Sequence, residues 1–291
     1  MKKKISLRKY FRKIYSYLYE KYKKQSILVA LKEQELYDLY LKLIDIVPDI
    51  SQQYTSFVIN DDYYYTKVKA QHAFQISMVL KSYDILKLEK LDTINLIDIG
   101  DSAGTHNEYI SKLRKNIKTL SINLDNKAIE KIKAKGMNAL LCKAEDIEKY
   151  NVHCDIFTSF QMLEHLHNPI QFLKDLSNKS QCKAFVVTVP YVVESRVSIN
   201  YIRFKSEVSQ NPEGVHIFEL SPDDWKIIFK FSGWEILEEK IYLQYPKNTI
   251  YRYLKKAWKL YDFEGFYGVI LIKNDKWEKL YKCGDEKMPS A

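Results

Sequence analysis

The sequence predicts a doubly wound, mostly parallel α/β sheet preceded by a helical extension, and three observations carry that expectation. From residue 94 onward, short apolar runs alternate with stretches of helical periodicity. The first run, Ile94-Asn-Leu-Ile-Asp98-Ile-Gly100-Asp-Ser102-Ala-Gly104, reads as a strand that breaks into a glycine turn and opens a helix. In a parallel sheet such a turn lies outside the carboxyl ends of the strands, where a nucleotide-like ligand binds. Residues 1–90, ahead of it, are helical in pattern and too long for a tail.

In the extension, residues 5–24 place Leu7, Tyr10, Phe11, Ile14, Leu18 and Tyr22 at helical spacing, with Arg8, Lys9, Arg12 and Lys13 mostly on other faces. Residues 26–47 form a second helical stretch ended by Pro48. Residues 51–66 are irregular, and residues 67–88 return to helical periodicity through Ala70, Phe74, Ser77, Met78 and Leu86. The segment 51–90 is expected to cap the site of the domain that follows.

In residues 91–275 the expected strands are 94–99, 118–124, 138–142, 154–160, 183–189, 234–245 and 266–272. Helices start at Asn107, at Lys127 (closed by Gly136) and at Pro169. Another begins at Ser221, an N-cap followed by Pro222, Asp223 and Asp224. The last two strands pair antiparallel at one edge. Residues 191–215 form an insertion of lid type and residues 276–291 a tail.

The net charge of +9 is uneven: residues 1–26 hold ten Lys/Arg and one acid, 10 − 1 = +9, so the other 265 residues sum to zero. A second basic stretch runs from Lys247 to Lys259. The basic amphipathic helix of residues 1–26 suits an anionic membrane surface, and equally suits packing on the protein's own body. Cys142, Cys154, Cys182 and Cys283 form no C-x-x-C pair, and no His/Cys cluster has metal-ligand spacing. Reduced thiols, no bound metal and a cytoplasmic location are the expectation. No apolar run approaches the ~20 residues that cross a bilayer. Arg8, Lys9, Arg12 and Lys13 interrupt any signal-peptide core.

A dinucleotide turn, G-x-G-x-x-G, begun at Gly100 requires glycine where Ser102 and Thr105 stand. No Gly-Lys-Ser/Thr follows, which excludes a phosphate loop. Asp98-Ile-Gly100-Asp-Ser102-Ala-Gly104 instead resembles the first motif of class I S-adenosylmethionine-dependent methyltransferases, with Ser102 in place of the middle glycine. Ser121-Ile-Asn-Leu-Asp125-Asn126 is similar to the family's second strand, and Cys142-Lys-Ala144-Glu145-Asp146 to its third. Cys154 through Phe160-Gln161-Met-Leu-Glu164-His165 is similar to the fourth-strand motif of the small-molecule enzymes, and His216-Ile-Phe-Glu to the segment before the sixth strand. The resemblance covers roughly residues 68–273.

It implies a Rossmann-like seven-stranded sheet, S-adenosyl-L-methionine as cofactor and a methyl acceptor of small-molecule or glycan-precursor type, oxygen ahead of nitrogen. Asp98, Gly100, Ser102 and Gly104 would hold the amino-acid end of the cofactor. Asp125 and Asn126 would meet the ribose, and Ala144, Glu145, Asp146, Phe160 and Gln161 the adenine and methyl regions, with Gln71 contributed by the preceding helix. His216, His165 and His72 are the candidate bases. Enzymes of bacterial capsule or lipopolysaccharide biosynthesis are the nearest type by analogy.

Arg196 and Arg203 in the insertion suit a phosphate or carboxylate, or belong to a solvated loop. DNA bases are disfavoured because Ser159-Phe160-Gln161-Met162 stands where a flipped amino base requires Asn/Asp-Pro-Pro-Tyr/Phe. RNA is admitted only through the basic arm. A non-catalytic protein of the same fold is the alternative from another class.

Overall fold

The computed structural model describes residues 7–150, 153–197, 215–255 and 264–280, without the side chains of residues 7–17, 148, 278 and 279. Most of the 191–215 insertion, with Arg203, lies outside the described residues, as do residues 1–6, Lys256 to Lys259 and most of the 276–291 tail.

Three helices come first: α1 Leu7–Glu33, α2 Tyr37–Ile46 and α3 Asp62–Ile85. The sheet domain follows as β1 Ile94–Ile99, α4 Thr105–Leu113, β2 Ile117–Asn123, α5 Asn126–Ala134, β3 Ala139–Leu141, β4 Ile156–Phe160, α6 Pro169–Lys179 and β5 Ala184–Tyr191. A short pair, β6 Arg196–Val197 and β7 Phe218–Glu219, precedes α7 Pro222–Phe231, β8 Trp234–Leu243, β9 Gly265–Lys273 and α8 Lys276–Leu280. The main sheet has the order β3-β2-β1-β4-β5-β9-β8. Its first five strands are parallel, and β9 runs antiparallel to both β5 and β8.

The expected seven-stranded, mostly parallel sheet is therefore present. The antiparallel pairing extends one strand further than an edge pair, because the last strand in sequence inserts between β5 and β8. The residue patterns explain that placement. Gly265 through Leu271 of β9 are all buried, as a strand covered on both faces requires. In β8 the exposed Glu235, Glu239 and Lys240 and the half-buried Glu238 mark a charged edge.

Two helix boundaries differ from the sequence expectation. The first two helices were expected to part near Ser26, yet α1 runs through it: Ser26 is fully buried and its hydroxyl donates to the Gln244 carbonyl at 3.4 Å. The break comes at Glu35, which adopts φ +60°. There the Leu36 N–H bonds the Leu31 carbonyl (2.8 Å) and the Glu35 N–H bonds that of Lys32 (3.3 Å), a Schellman stop made without glycine. Helix α3 starts at Asp62 rather than 67, because the Asp61 carboxylate caps it by accepting from the Tyr64 N–H at 2.6 Å.

The sheet has a core on each face. One unites Ile27, Leu31, Leu43, Phe74, Met78 and Val79 of the extension with Leu96, Tyr109, Val186 and Ile270 of the domain. The other packs Phe172, Leu173, Trp225 and Phe229 of α6 and α7 on Ile97, Phe157, Phe185 and Leu271. Helix α3 crosses β9 at Gly268, where an added Cβ would stand 2.7 Å from Phe74 Cζ. Described residues of α1–α3 thus form one outer layer of a three-layer sandwich.

Candidate functional site at the glycine turn

Strands β1, β2 and β4 are parallel, so Gly100, Asp125 and Gln161, which follow them, share one end of the sheet. Gly100 and Gly104 have φ +98° and +73°, values that favour glycine. A Cβ on Gly104 would approach Met137 Cε to 2.2 Å, and one on Gly100 would come 3.2 Å from Met162 Cγ. The turn is as tight as its glycines suggest, and the chain after β4 lies against it.

Beneath the turn is a buried charge cluster. Asp98, expected to hold the amino-acid end of the cofactor, is buried. Its Oδ1 accepts from the Thr158 hydroxyl at 2.8 Å, and its Oδ2 lies 3.4 Å from His106 Nδ1. Asp101 Oδ1 is 3.7 Å from the same nitrogen. These distances mark an ion pair looser than a hydrogen bond. Burial disfavours the imidazolium, yet Asp101 and Asp98 outweigh it and push the His106 pKa up to about 9. Burial chiefly raises the Asp98 carboxyl, opposed by His106. His106 is therefore the countercharge of the turn at neutral pH.

Helix α3 completes the cluster. His106 Nε2 meets Gln75 Oε1 at 3.0 Å, and Gln75 Nε2 donates to the Thr188 hydroxyl at 3.3 Å. Gln71, the contributor expected from this helix, is half-buried one turn before Gln75. His72, a candidate base, is sealed in the same cluster. Its ring stands edge-on to His106 with centroids 4.7 Å apart, and burial pushes its pKa well down, keeping it neutral. Lys69 lies deeper and donates to the Tyr109 hydroxyl at 3.0 Å and to the Val47 carbonyl.

Ser102, read from the sequence as a lost glycine, has a positive role. Its hydroxyl donates to the Gln53 carbonyl at 2.6 Å, and Lys131 Nζ donates to the carbonyls of Gln52 (3.1 Å) and Tyr54 (2.8 Å). These three bonds pin the segment between α2 and α3 across the turn.

The other expected ligand residues surround this centre unevenly. Asp125 Oδ1 caps α5 by accepting from the Lys127 N–H at 2.9 Å, and exposed Asn126 donates to Glu130 at 2.9 Å. Ala144, Glu145 and Asp146 open the 3-10 turn Ala144–Tyr150, where Asp146 pairs with Lys149 at 2.6 Å. That hydrogen bond holds the Asp146 carboxyl below its usual range. Ala144 and Glu145 also line a cavity of about 320 Å³ beside α6, which includes no residue of the glycine turn. Phe160 is buried with its ring 4.8 Å from that of His106. Gln161 adopts φ +56° and donates through Nε2 to Thr188 Oγ1 at 3.2 Å.

His165 and His216 come together elsewhere, after β4. Their rings are 4.7 Å apart and nearly perpendicular, at 89°. His165 Nδ1 donates to the Val215 carbonyl at 2.8 Å, and His216 Nδ1 meets Glu219 Oε1 at 3.0 Å. Burial opposes a charge on His216, but Glu219 and Glu164 raise its pKa. Glu164 is fully buried beside them, and burial pushes it up to about 7.

Sequence reasoning missed His106, Asp101, Gln53 and Gln75. His106 was within sight, two residues past Gly104, but only the fold turns it back onto Asp98. Buried Gln53 Oε1, Asp98 Oδ2, Asp101 Oδ1, His106 Nδ1 and Asn107 Oδ1 have no hydrogen-bond partner among the described residues. Three of these atoms face one another in the Asp98–His106–Asp101 ion pair, which leaves Gln53 Oε1 and Asn107 Oδ1 as acceptors suited to a polar ligand.

No protein-family model matches this sequence, and no curated protein matches it. Among solved structures, the chain is similar to the O-methyltransferase of a trans-AT polyketide synthase multienzyme from Brevibacillus brevis in complex with S-adenosyl-L-homocysteine. The identity is 13%, the TM-score 0.51, and the match covers 81% of each chain. The magnesium protoporphyrin IX methyltransferase of Synechocystis with bound cofactor aligns at 8% identity and a TM-score of 0.48, over 74% of this chain and 86% of that one. The first of these likenesses shows that the chain has the Rossmann-like methyltransferase fold.

Two outcomes are expected from this geometry. Ser102→Ala removes one hydrogen bond of about 1 kcal/mol, so chymotryptic cleavage after exposed Phe57 should accelerate about fivefold. Because the folded pKa of His106 lies above its unfolded value of 6.5, its stabilisation is full below pH 6.5 and disappears as pH rises through about 9. Denaturant unfolding of the wild type should show that decline; His106→Gln should flatten it and destabilise by about 3 kcal/mol or more by leaving two buried carboxylates unpaired.

Proposed function

We propose that the chain is an S-adenosylmethionine-dependent methyltransferase that methylates an oxygen, or secondarily a nitrogen, of a small molecule or glycan precursor. The observation that carries this reading is the glycine turn of a methyltransferase-type sheet, flanked by the buried acceptors Gln53 Oε1 and Asn107 Oδ1 that have no partner among the described residues. The residues fit the cofactor. Asn107 Oδ1 and Gln53 Oε1 are acceptors suited to an α-amino group. The first turn of α4 presents backbone N–H groups suited to a carboxylate. Asp125 would meet the ribose diol through Oδ2, since Oδ1 is occupied as a cap. Ala144 to Asp146 would line the adenine, and Phe160 and Met162 would wall the methyl region.

When bound, the cofactor supplies an electrophilic methyl group. The chain's own task is alignment and exclusion of water. The segment 51–59, held by Ser102 and Lys131, acts as the cap, and His106 keeps Asp98 and Asp101 fixed beneath the turn. None of the three candidate histidines is assigned as base. His72 is sealed under the turn, and His165 and His216 are engaged with Val215 and Glu219.

The acceptor class rests on analogy with enzymes of bacterial capsule or lipopolysaccharide biosynthesis. A membrane-linked acceptor would agree with the basic helix of residues 1–26, whose Leu18 is 57% exposed. The following turns of α1 are docked: Lys23 lies over the Tyr63 ring at 3.9 Å and Tyr22 meets Tyr251 at 4.7 Å. Among the described residues no helix is long and apolar enough to cross a membrane.

Isothermal titration with S-adenosylhomocysteine should give one site per chain. Asp125→Ala should weaken it about tenfold by removing a hydrogen bond to a charged group. Absence of binding at high micromolar ligand would refute the enzyme reading in favour of a non-catalytic binding protein. Replacing Lys2, Lys3, Lys4, Arg8, Lys9, Arg12 and Lys13 by Gln should abolish sedimentation with anionic liposomes; unchanged sedimentation removes the membrane contact.

A further inference from the structure

We propose that Glu164, His165 and His216 form a binding site for a divalent first-row transition-metal ion, adjacent to the glycine turn but sharing no residue with it. One ligand atom from each of the three lies within 4.8 Å of the others, the spacing of donors around a common ion. The proposal concerns this cluster alone and does not depend on the reaction proposed above.

The second observation is Glu164 itself. It is fully buried, and neither of its carboxylate oxygens accepts a hydrogen bond from another described residue. A carboxylate in that state costs several kcal/mol unless it takes up a proton or a cation compensates it. Protonating a histidine would balance charge but brings no donor from another described residue to the Glu164 oxygens. A metal ion satisfies them directly.

The surroundings match the outer shell of a metal site. A ligating histidine usually commits its other ring nitrogen to a carbonyl or carboxylate. His165 Nδ1 is held by the Val215 carbonyl at 2.8 Å and His216 Nδ1 by Glu219 at 3.0 Å. Glu219 is buried in turn and bonded by the Arg196 guanidinium. With neutral imidazoles, Glu164, Glu219 and Arg196 sum to −1, which favours a dication. The two chain segments are already joined, since the Ile217 N–H donates to the Glu164 carbonyl at 2.7 Å.

Two imidazoles and one carboxylate favour zinc, iron, cobalt or manganese over magnesium or calcium. Three protein ligands leave positions for water or for an oxygen of a bound acceptor. The site lies just beyond β4, and Met162, in the same turn, packs on Gly100. Sequence spacing hid it, because two ligands are adjacent and the third is 51 residues away, at 216. The expectation of no metal came from looking for local Cys/His spacing.

The test uses the full-length chain without added histidines, stripped by chelator and titrated with Co²⁺, followed by visible d–d absorption and by calorimetry with Zn²⁺. One Co²⁺ per chain, displaced by Zn²⁺, is expected. Glu164→Gln should abolish the spectrum, and Glu219→Gln should weaken binding about tenfold or more through the loss of an outer-shell partner. Far-UV circular dichroism and S-adenosylhomocysteine titration of each variant separate loss of metal from loss of fold. If Glu164→Gln does not fold, the His165→Gln and His216→Gln variants give the same readout. No stoichiometric Co²⁺ or Zn²⁺ binding by the wild type, Mg²⁺ binding alone, or a spectrum unchanged in folded variants overturns the proposal.

Discussion

The structure depends on one buried ion pair, the His106 imidazolium between Asp98 and Asp101. Two carboxylates at the end of a central strand, nearly without solvent, would repel each other. The histidine two residues into the preceding turn's exit makes both tolerable and anchors α4 to β1. It also ties the helical extension to the sheet, since Gln75 of α3 bonds its far nitrogen. Removing that cation would loosen the strand end, the glycine turn and the helix above them together.

The extension follows from the same constraint. A sheet buried on both faces needs a layer of helices on each, and α1–α3 supply much of one layer. Their connecting segment is bonded to the glycine turn and to α5. Ser102 and Lys131 make this a hold on the site, by donating to backbone carbonyls that the crossing segment would otherwise leave unpaired. A substitution that looks like the loss of a glycine thus gains a contact that glycine could not make.

At the other side of the turn, the chain leaving β4 places two sets of polar groups in opposite directions. Gln161 reaches back to Thr188 of β5, while Glu164 and His165 meet the strand-like segment around Glu219. The left-handed backbone at Gln161 lies between them. Strain of that kind persists only where the surroundings enforce it, and here hydrogen bonds from both backbone and side chain do so.

The sequence by itself determined the seven strands, the direction of the sheet's first five, the glycine turn and the neighbourhood of Asp125 and Phe160, because periodicity and turn chemistry are local properties. It misplaced the break between the first helices, since Glu35 adopts a left-handed conformation that no glycine announces, and it placed Asp61 in an irregular segment. Only the tertiary structure decided that Gln75 bonds His106, that His106 neutralises Asp98, and that His165 and His216 meet around Glu164. Each of these depends on which face of an element its neighbours cover, and on segments distant in the chain. Charge compensation inside a protein is set by three-dimensional proximity in a low dielectric, and spacing along one chain does not encode it.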